Sequence, residues 1–210
     1  MLTKISSFFL LENAFSLLFG SFYFQDEKLY NKSKKILITE LNEQILEDGS
    51  HFELSPMYHQ IMLFRVLDCI QLIKLNSWKN DNLLSLLEES SSKMLSWINN
   101  VTFNNGDIPM VNDCAYDIAP STKELLEYGI SLGINRKDIR LTDSGYRIFQ
   151  NQKYELFMDL GEVGSSYQPG HVHSDTFNFV LYVNNLPFIV DTGTSTYEKN
   201  DQRQLERSTS

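Results

Sequence analysis

The chain has 210 residues, 42% of them hydrophobic and 12% aromatic, which is enough to bury a core and excludes a disordered polymer. Its net charge of −9 excludes a general nucleic-acid binder, because phosphate recognition needs clustered Lys and Arg. The two cysteines, Cys69 and Cys114, are isolated, so they form neither a disulfide framework nor a CxxC zinc knuckle and are expected as buried small apolar residues.

The first stretch, "MLTKISSFFLLENAFSLLFG", has the basic start of a signal peptide. Glu12 and Asn13 interrupt its apolar run, and that run is too short for a membrane span, which needs about 20 apolar residues. An amphipathic helix over roughly 8–24 is the better reading. A second helix is expected over 27–47, capped by Asp26, with Leu29, Ile36, Leu37, Leu41 and Ile45 at helical spacing, and it should stop at Asp48-Gly49. Ser55-Pro56 opens a third helix as cap and first-turn proline, with Met57, Ile61, Phe64, Leu67 and Ile70 inward. A fourth should run from near Asp81 to about Ile98. "GDIPMVND" reads as a structured loop, and a short helix over 121–132 should end at Gly133.

From about Arg136 the hydrophobic period changes. "YRIFQNQKYELFMDLG" reads as two strands around Asn151-Gln152, and "TFNFVLYVNNLPFIVDTG" as two more around Asn184-Asn185. The expected class is therefore α+β: helical hairpins over 1–135, then the start of an antiparallel β-sandwich over 136–210. Four strands make only part of a sandwich, so at least one edge should be unprotected. The closing "NDQRQLERSTS" shows no cap, strand partner or closing element, and the chain reads as cut off.

Two of the four histidines lie in "PGHVHSD". In extended backbone His171, His173 and Asp175 share a face, an arrangement suited to metal binding or to a base beside a ligand. An HxH of the cupin type wants a Glu about four residues on, where this chain has Phe177. Asp191 ends the partner strand just before a glycine turn. A strict two-residue turn would pair Asp191 with Asn178 and face it away from the odd-numbered residues, and a bulge or odd loop would reverse that. In "DGSHFELSPMYHQ", Tyr58 and His59 stand in the first turn of a helix, where free N–H groups favour an anion. Tyr58 lies off the inward stripe and can reach a cleft.

Together these stretches resemble the heparinase II/III family of polysaccharide lyases. "LLENAFSLLFG" is similar to the helix that follows the family's Asn-His pair. "DGSHFELSPMYH" resembles its Asp-Gly…Ser-Pro-x-Tyr-His segment, and "DSGYRIFQNQKYELFMDLG" the opening of its sandwich. "GHVHSDTFNFVLYVNNLPFIVDTGTSTY" resembles its Gly-His-x-His-x-Asp…Val-Asp-x-Gly signature, and "RSTS" the text before a typical Ala-His-Asn-Thr. The resemblance implies an incomplete α/α toroid followed by a β-sandwich, and β-elimination on an anionic, uronic-acid polysaccharide, heparan-like, alginate-like or a bacterial surface polymer. It implies Tyr58 as acid, or as acid and base together, and His171 as base or stabiliser. His173 and Asp191 would be zinc ligands, and the location periplasmic or extracellular. Two departures follow. Phe8 and Phe9 stand where the family has Asn-His, and the Asn normally holds the substrate carboxylate. The end at Ser210 omits a further metal-binding His. The chain is thus read as a fragment or degenerate copy, inactive alone, with a non-catalytic carbohydrate-binding remnant as the alternative.

Overall fold

The computed structural model describes residues 7–79, 81–161, 173–174 and 177–208. Helices α1 (Ser7–Phe24) and α2 (Glu27–Gln44) form a hairpin. Leu11, Ala14, Phe15, Leu18 and Phe22 of α1 are buried at three- and four-residue spacing. Asp26 caps α2 by accepting from the Lys28 and Leu29 amides at 2.7 and 3.0 Å. Buried Ser33 donates to the Ala14 carbonyl at 2.7 Å and fixes the two helices in register.

α2 ends three residues earlier than its apolar pattern predicts. Ile45 turns extended and bridges to His51, and the Phe52 amide donates back to the Gln44 carbonyl at 2.8 Å. The His51 imidazole meets the Gln44 side chain at 3.0 Å. This small loop takes the backbone groups that another helical turn would have used.

α3 (Pro56–Leu75) follows its Ser55 cap and Pro56 start as expected. It is buried on most sides: Met57, Leu67 and Ile70 lie inside with Met62, Leu63, Val66, Cys69 and Ile73. Ile61 and Phe64 are only half-buried, because they border an open cleft. α4 (Asn82–Val101) runs about a turn past its expected end. Its cap, Asp81, accepts from Leu83 N, from the Tyr30 hydroxyl at 2.9 Å and from Lys34 at 2.6 Å, so one carboxylate ties α2 to the start of α4. α5 (Thr122–Ser131) begins with a reciprocal Ser121–Glu124 capping box, and the chain turns at Gly133 with φ +77°.

Strands β1 (Tyr146–Gln150), β2 (Tyr154–Asp159), β3 (Phe179–Val183) and β4 (Leu186–Ile189) pair in sequence order as an antiparallel meander. Asn151 makes the first turn by accepting from the Lys153 and Tyr154 amides. Asn184 and Asn185 make the β3–β4 turn, both at positive φ, 53° and 62°. The register slips between Leu181 and Tyr182: Tyr182 faces Pro187, whereas Leu181 faces Ile189. β4 is exposed along its whole length, as expected for an unprotected edge.

The sheet rests on α4 and the loop after it. Trp97, fully buried, lies 6.0 Å from the Tyr146 ring, which meets Phe157 edge-on at 4.8 Å. Phe103 stacks on Tyr182 at 4.1 Å. The expected order of helical hairpins and then antiparallel sheet is thus the observed one. The last segment differs from expectation. It folds as α6 (Asp201–Ser208), stabilised by a Gln202–Glu206 contact one turn apart and by Glu206 accepting from Ser195.

Candidate active site

The "IPMVND" loop organises the site, which its sequence alone did not reveal. Asn112 sits at φ +57° and splits its amide between two halves of the fold. Its Nδ2 donates to the Leu54 carbonyl at 2.9 Å and to the Tyr146 hydroxyl at 3.3 Å, and its Oδ1 accepts the His173 amide at 3.2 Å. Asp113, fully buried, accepts from His173 Nε2 at 2.7 Å on one oxygen and from Arg203 Nη2 at 2.7 Å on the other. Thr194 completes the group, 3.3 Å from both Asp113 Oδ1 and His173 Nε2. Neighbouring Cys114 touches the Ser55 hydroxyl and the Met57 amide, so this loop anchors the start of α3. Burial pushes its thiol up to about 12.

Tyr58 stands beside this cluster, half-buried, in the first turn of α3. Its hydroxyl is hydrogen-bonded to Tyr197, whose own hydroxyl reaches the Asp113 carbonyl at 3.2 Å. Arg203 lies 5.3 Å over the Tyr197 ring. Burial raises the Tyr58 phenol above its ordinary range, and the negative charges of Asp113 and Glu53 add to this; Arg203 and the Tyr197 hydrogen bond oppose it.

Of the four residues singled out from the sequence, Tyr58 and His173 are both linked to Asp113. Asp191 is buried at the end of β4, accepts from Asn178 Nδ2 at 2.8 Å and from Gly193 N at 2.9 Å, and acts electrostatically on Cys114. The slip at Leu181 is the kind of bulge that moves Asp191 out of the strict pairing. Gly193, at φ +63°, brings this strand end against the loop: a Cβ there would lie 2.6 Å from the Cys114 carbonyl, which accepts the Thr194 amide. His171 and Asp175 lie outside the described residues. His59, next to Tyr58, is structural. Its Nδ1 accepts the His51 amide, its Nε2 meets the Met94 carbonyl at 3.0 Å, and burial lowers it to about 4, so it is neutral.

The zinc expected from the resemblance can be tested against these donors. His173 Nε2 faces the Asp113 carboxylate, and Nδ1 is the remaining ring nitrogen. That atom is buried without a hydrogen-bond partner among the described residues. It suits one metal position and the Asp191 carboxylate suits another. Among the described residues, however, no three His, Cys, Asp or Glu side chains converge as ligands. A zinc shell needs about three or four, so these residues fit half of one.

Sequence reading missed Asn112, Asp113, Thr194, Tyr197 and Arg203. The available signals were a polar pair closing an apolar loop and the tyrosine of "DTGTSTY". Arg203 had none, because α6 was not foreseen.

Helical hairpins lead into an antiparallel meander, and a tyrosine, a histidine and a carboxylate gather where the two parts meet. The sequence model for the heparinase II/III N-terminus matches residues 18–140, and that for the heparinase II/III-like C-terminal part matches residues 133–210. The chain belongs to the heparinase II/III family. Among solved structures it is similar to a heparinase III, with a TM-score of 0.72 at 20% identity, over 97% of this chain and 38% of that one. It is also similar to the heparan sulfate lyase HepC of Pedobacter heparinus, with a TM-score of 0.68 at 18% identity, over 94% of this chain and 35% of that one. A mutant of HepC gives 0.73 at 16% identity, over 94% and 35%. The chain thus spans little more than a third of these relatives, and at such identities the likeness is one of fold. No curated protein matches it. None of its described helices is long and apolar enough to cross a membrane.

Proposed function

We propose that the Tyr58 site belongs to a polysaccharide lyase that cleaves uronic-acid polymers by β-elimination, and that this chain is catalytically silent on its own. The supporting observation is the placement of the Tyr58 hydroxyl, half-buried and hydrogen-bonded to Tyr197 beside Arg203 and Asp113. In β-elimination a base removes the weakly acidic C5 proton and its electron pair forms the C4–C5 double bond. The C4–O4 bond breaks, and O4 leaves with a proton. A tyrosine hydroxyl carries the proton that the last step needs, so Tyr58 is the acid in this reading. His171, outside the described residues, is the base or stabiliser that the family likeness supplies. Asp113 holds His173 and Arg203, and Cys114 keeps the loop against the start of α3.

Zinc at His173 and Asp191 remains part of the proposal and needs further ligands from outside the described residues. Bound there, it would fix the two segments relative to one another. A location outside the cytoplasm rests on the family likeness alone.

Silence follows from Phe8 and Phe9, which occupy the places of the Asn-His pair. Loss of one preorganised donor costs about 10²–10³ in rate, and phenylalanine cannot hydrogen-bond a carboxylate. The same residues favour the second reading, a carbohydrate-binding protein without turnover. The unsaturated product absorbs in the ultraviolet, which gives the test. With heparan sulfate, hyaluronan, chondroitin and alginate, the chain should give no absorbance rise. The Phe8→Asn, Phe9→His variant should gain a slow rise that Tyr58→Phe removes. A rise that survives Tyr58→Phe would overturn the assignment of Tyr58, and no gain in the double variant would favour the binding protein.

A further inference from the structure

The face of α3 that presents Tyr58 continues beyond it. Positions i, i+3 and i+7 share a helix face, and seven residues advance the helix by about 10 Å. Tyr58, Ile61 and Arg65 stand in that relation. Ile61 and Arg65 line a cleft of about 460 Å³, together with Phe64, Ile118, Ala119 and Pro120. The Arg65 side chain is 45% exposed, and its Nε lies 3.7 Å from Glu12, too far for a hydrogen bond. Its guanidinium makes no hydrogen bond to the described residues and stands 5.9 Å over the Phe64 ring.

We propose that Arg65 and this cleft form an anion subsite for an acidic polysaccharide, taking a carboxylate or sulfate of the polymer one to two helical turns beyond Tyr58. The proposal rests on the lyase reading of Tyr58. Apolar walls with one guanidinium suit a sugar ring that carries an acidic group, since Arg presents paired donors to such oxyanions. The charge balance requires a local cation. At −9 the whole chain repels a polyanion, so binding must come from individual basic groups placed along the groove.

The test is calorimetric titration of the 210-residue chain with heparan sulfate, desulfated heparan sulfate and carboxyl-reduced heparan sulfate. Arg65→Ala should weaken binding about tenfold, the size of one lost charge-assisted hydrogen bond, with unchanged circular dichroism. Arg65→Lys should recover part of it. Glu12→Gln should bind as well as wild type or better, because it removes a competing carboxylate. Disappearance of the Arg65 effect with the desulfated polymer assigns sulfate as the ligand, and with the carboxyl-reduced polymer the carboxylate. Unchanged binding in Arg65→Ala overturns the subsite alone. Equal weakening in Glu12→Gln and Arg65→Ala overturns it too, by reducing Arg65 to a structural ion pair. A wild-type chain that binds none of the polymers removes the subsite together with the substrate class proposed for Tyr58.

Discussion

Asp48 and Ser144, 96 residues apart in the chain, are joined by two hydrogen bonds: the Ser144 amide and hydroxyl donate to Asp48 Oδ2 at 2.9 and 2.7 Å. The Thr142 amide adds a third at 3.2 Å, and Ser50 occupies the other oxygen. One carboxylate thus fastens the helical half to the segment that leads into β1. Asp48→Ala should cost about 3 kcal/mol in chemical denaturation, because several buried donors lose their partner at once. A loss below about 1 kcal/mol would mean that water replaces it.

Gly49 beside it has no room for a side chain. Its φ is +86°, and a Cβ would lie 2.3 Å from the Lys93 carbonyl. Gly106 has φ +98° and nothing within 4 Å. Gly49→Ala should therefore destabilise by well over 2 kcal/mol, and Gly106→Ala by about 1 kcal/mol, the cost of the backbone conformation alone. Comparable melting temperatures for the two variants would refute the close approach.

His59 gives a pH dependence. The group titrates near 6.5 when unfolded and is held down to about 4 when folded. Between those values the unfolded chain binds a proton that the native state refuses. This stability is complete above about 6.5 and declines as pH falls toward 4, reaching on the order of 3 kcal/mol. Asp48, whose hydrogen bonds outweigh burial and lower its carboxyl, adds to acid lability at lower pH. Urea midpoints measured from pH 7.5 to 4 should fall, and His59→Gln should flatten the slope.

Arg203→Ala removes the guanidinium that holds Oδ2 of the fully buried Asp113. Removing one member of a buried pair costs about 3–5 kcal/mol, less here because Arg203 keeps some solvent contact. Hydrogen exchange should accelerate first in α6 and around Tyr197. Uniform acceleration across all helices would instead point to global destabilisation.

Both thiols should be inert in the native state. Cys69 and Cys114 are fully buried, and burial raises each of them. A maleimide should label them only above the unfolding midpoint.

The legible parts of this fold are local. Asp26, Ser55 and Ser121 announce helix starts through hydrogen bonds that span two or three residues, and the Asn184-Asn185 pair announces its turn. Tyr58 could be singled out because it breaks the apolar stripe of its own helix. Asp113 could not, because its importance comes from His173 and Arg203, 60 and 90 residues away. The early end of α2 likewise depends on His51 folding back, a contact that helical periodicity does not encode. α6 is highly polar and short, so no apolar stripe marks it, and Arg203 was hidden with it.

The bare strand β4 also shapes how this protein behaves in a tube. Leu186, Phe188 and Val190 are each more than half exposed on a sheet edge, a surface that recruits further strands. Mutual repulsion between molecules, from the excess of acidic groups, opposes that recruitment. Near the isoelectric point of about 4.9 the repulsion vanishes, and high salt screens it. Mild acid should therefore precipitate the folded protein, and the particles should dissolve again on return to neutral pH at low salt.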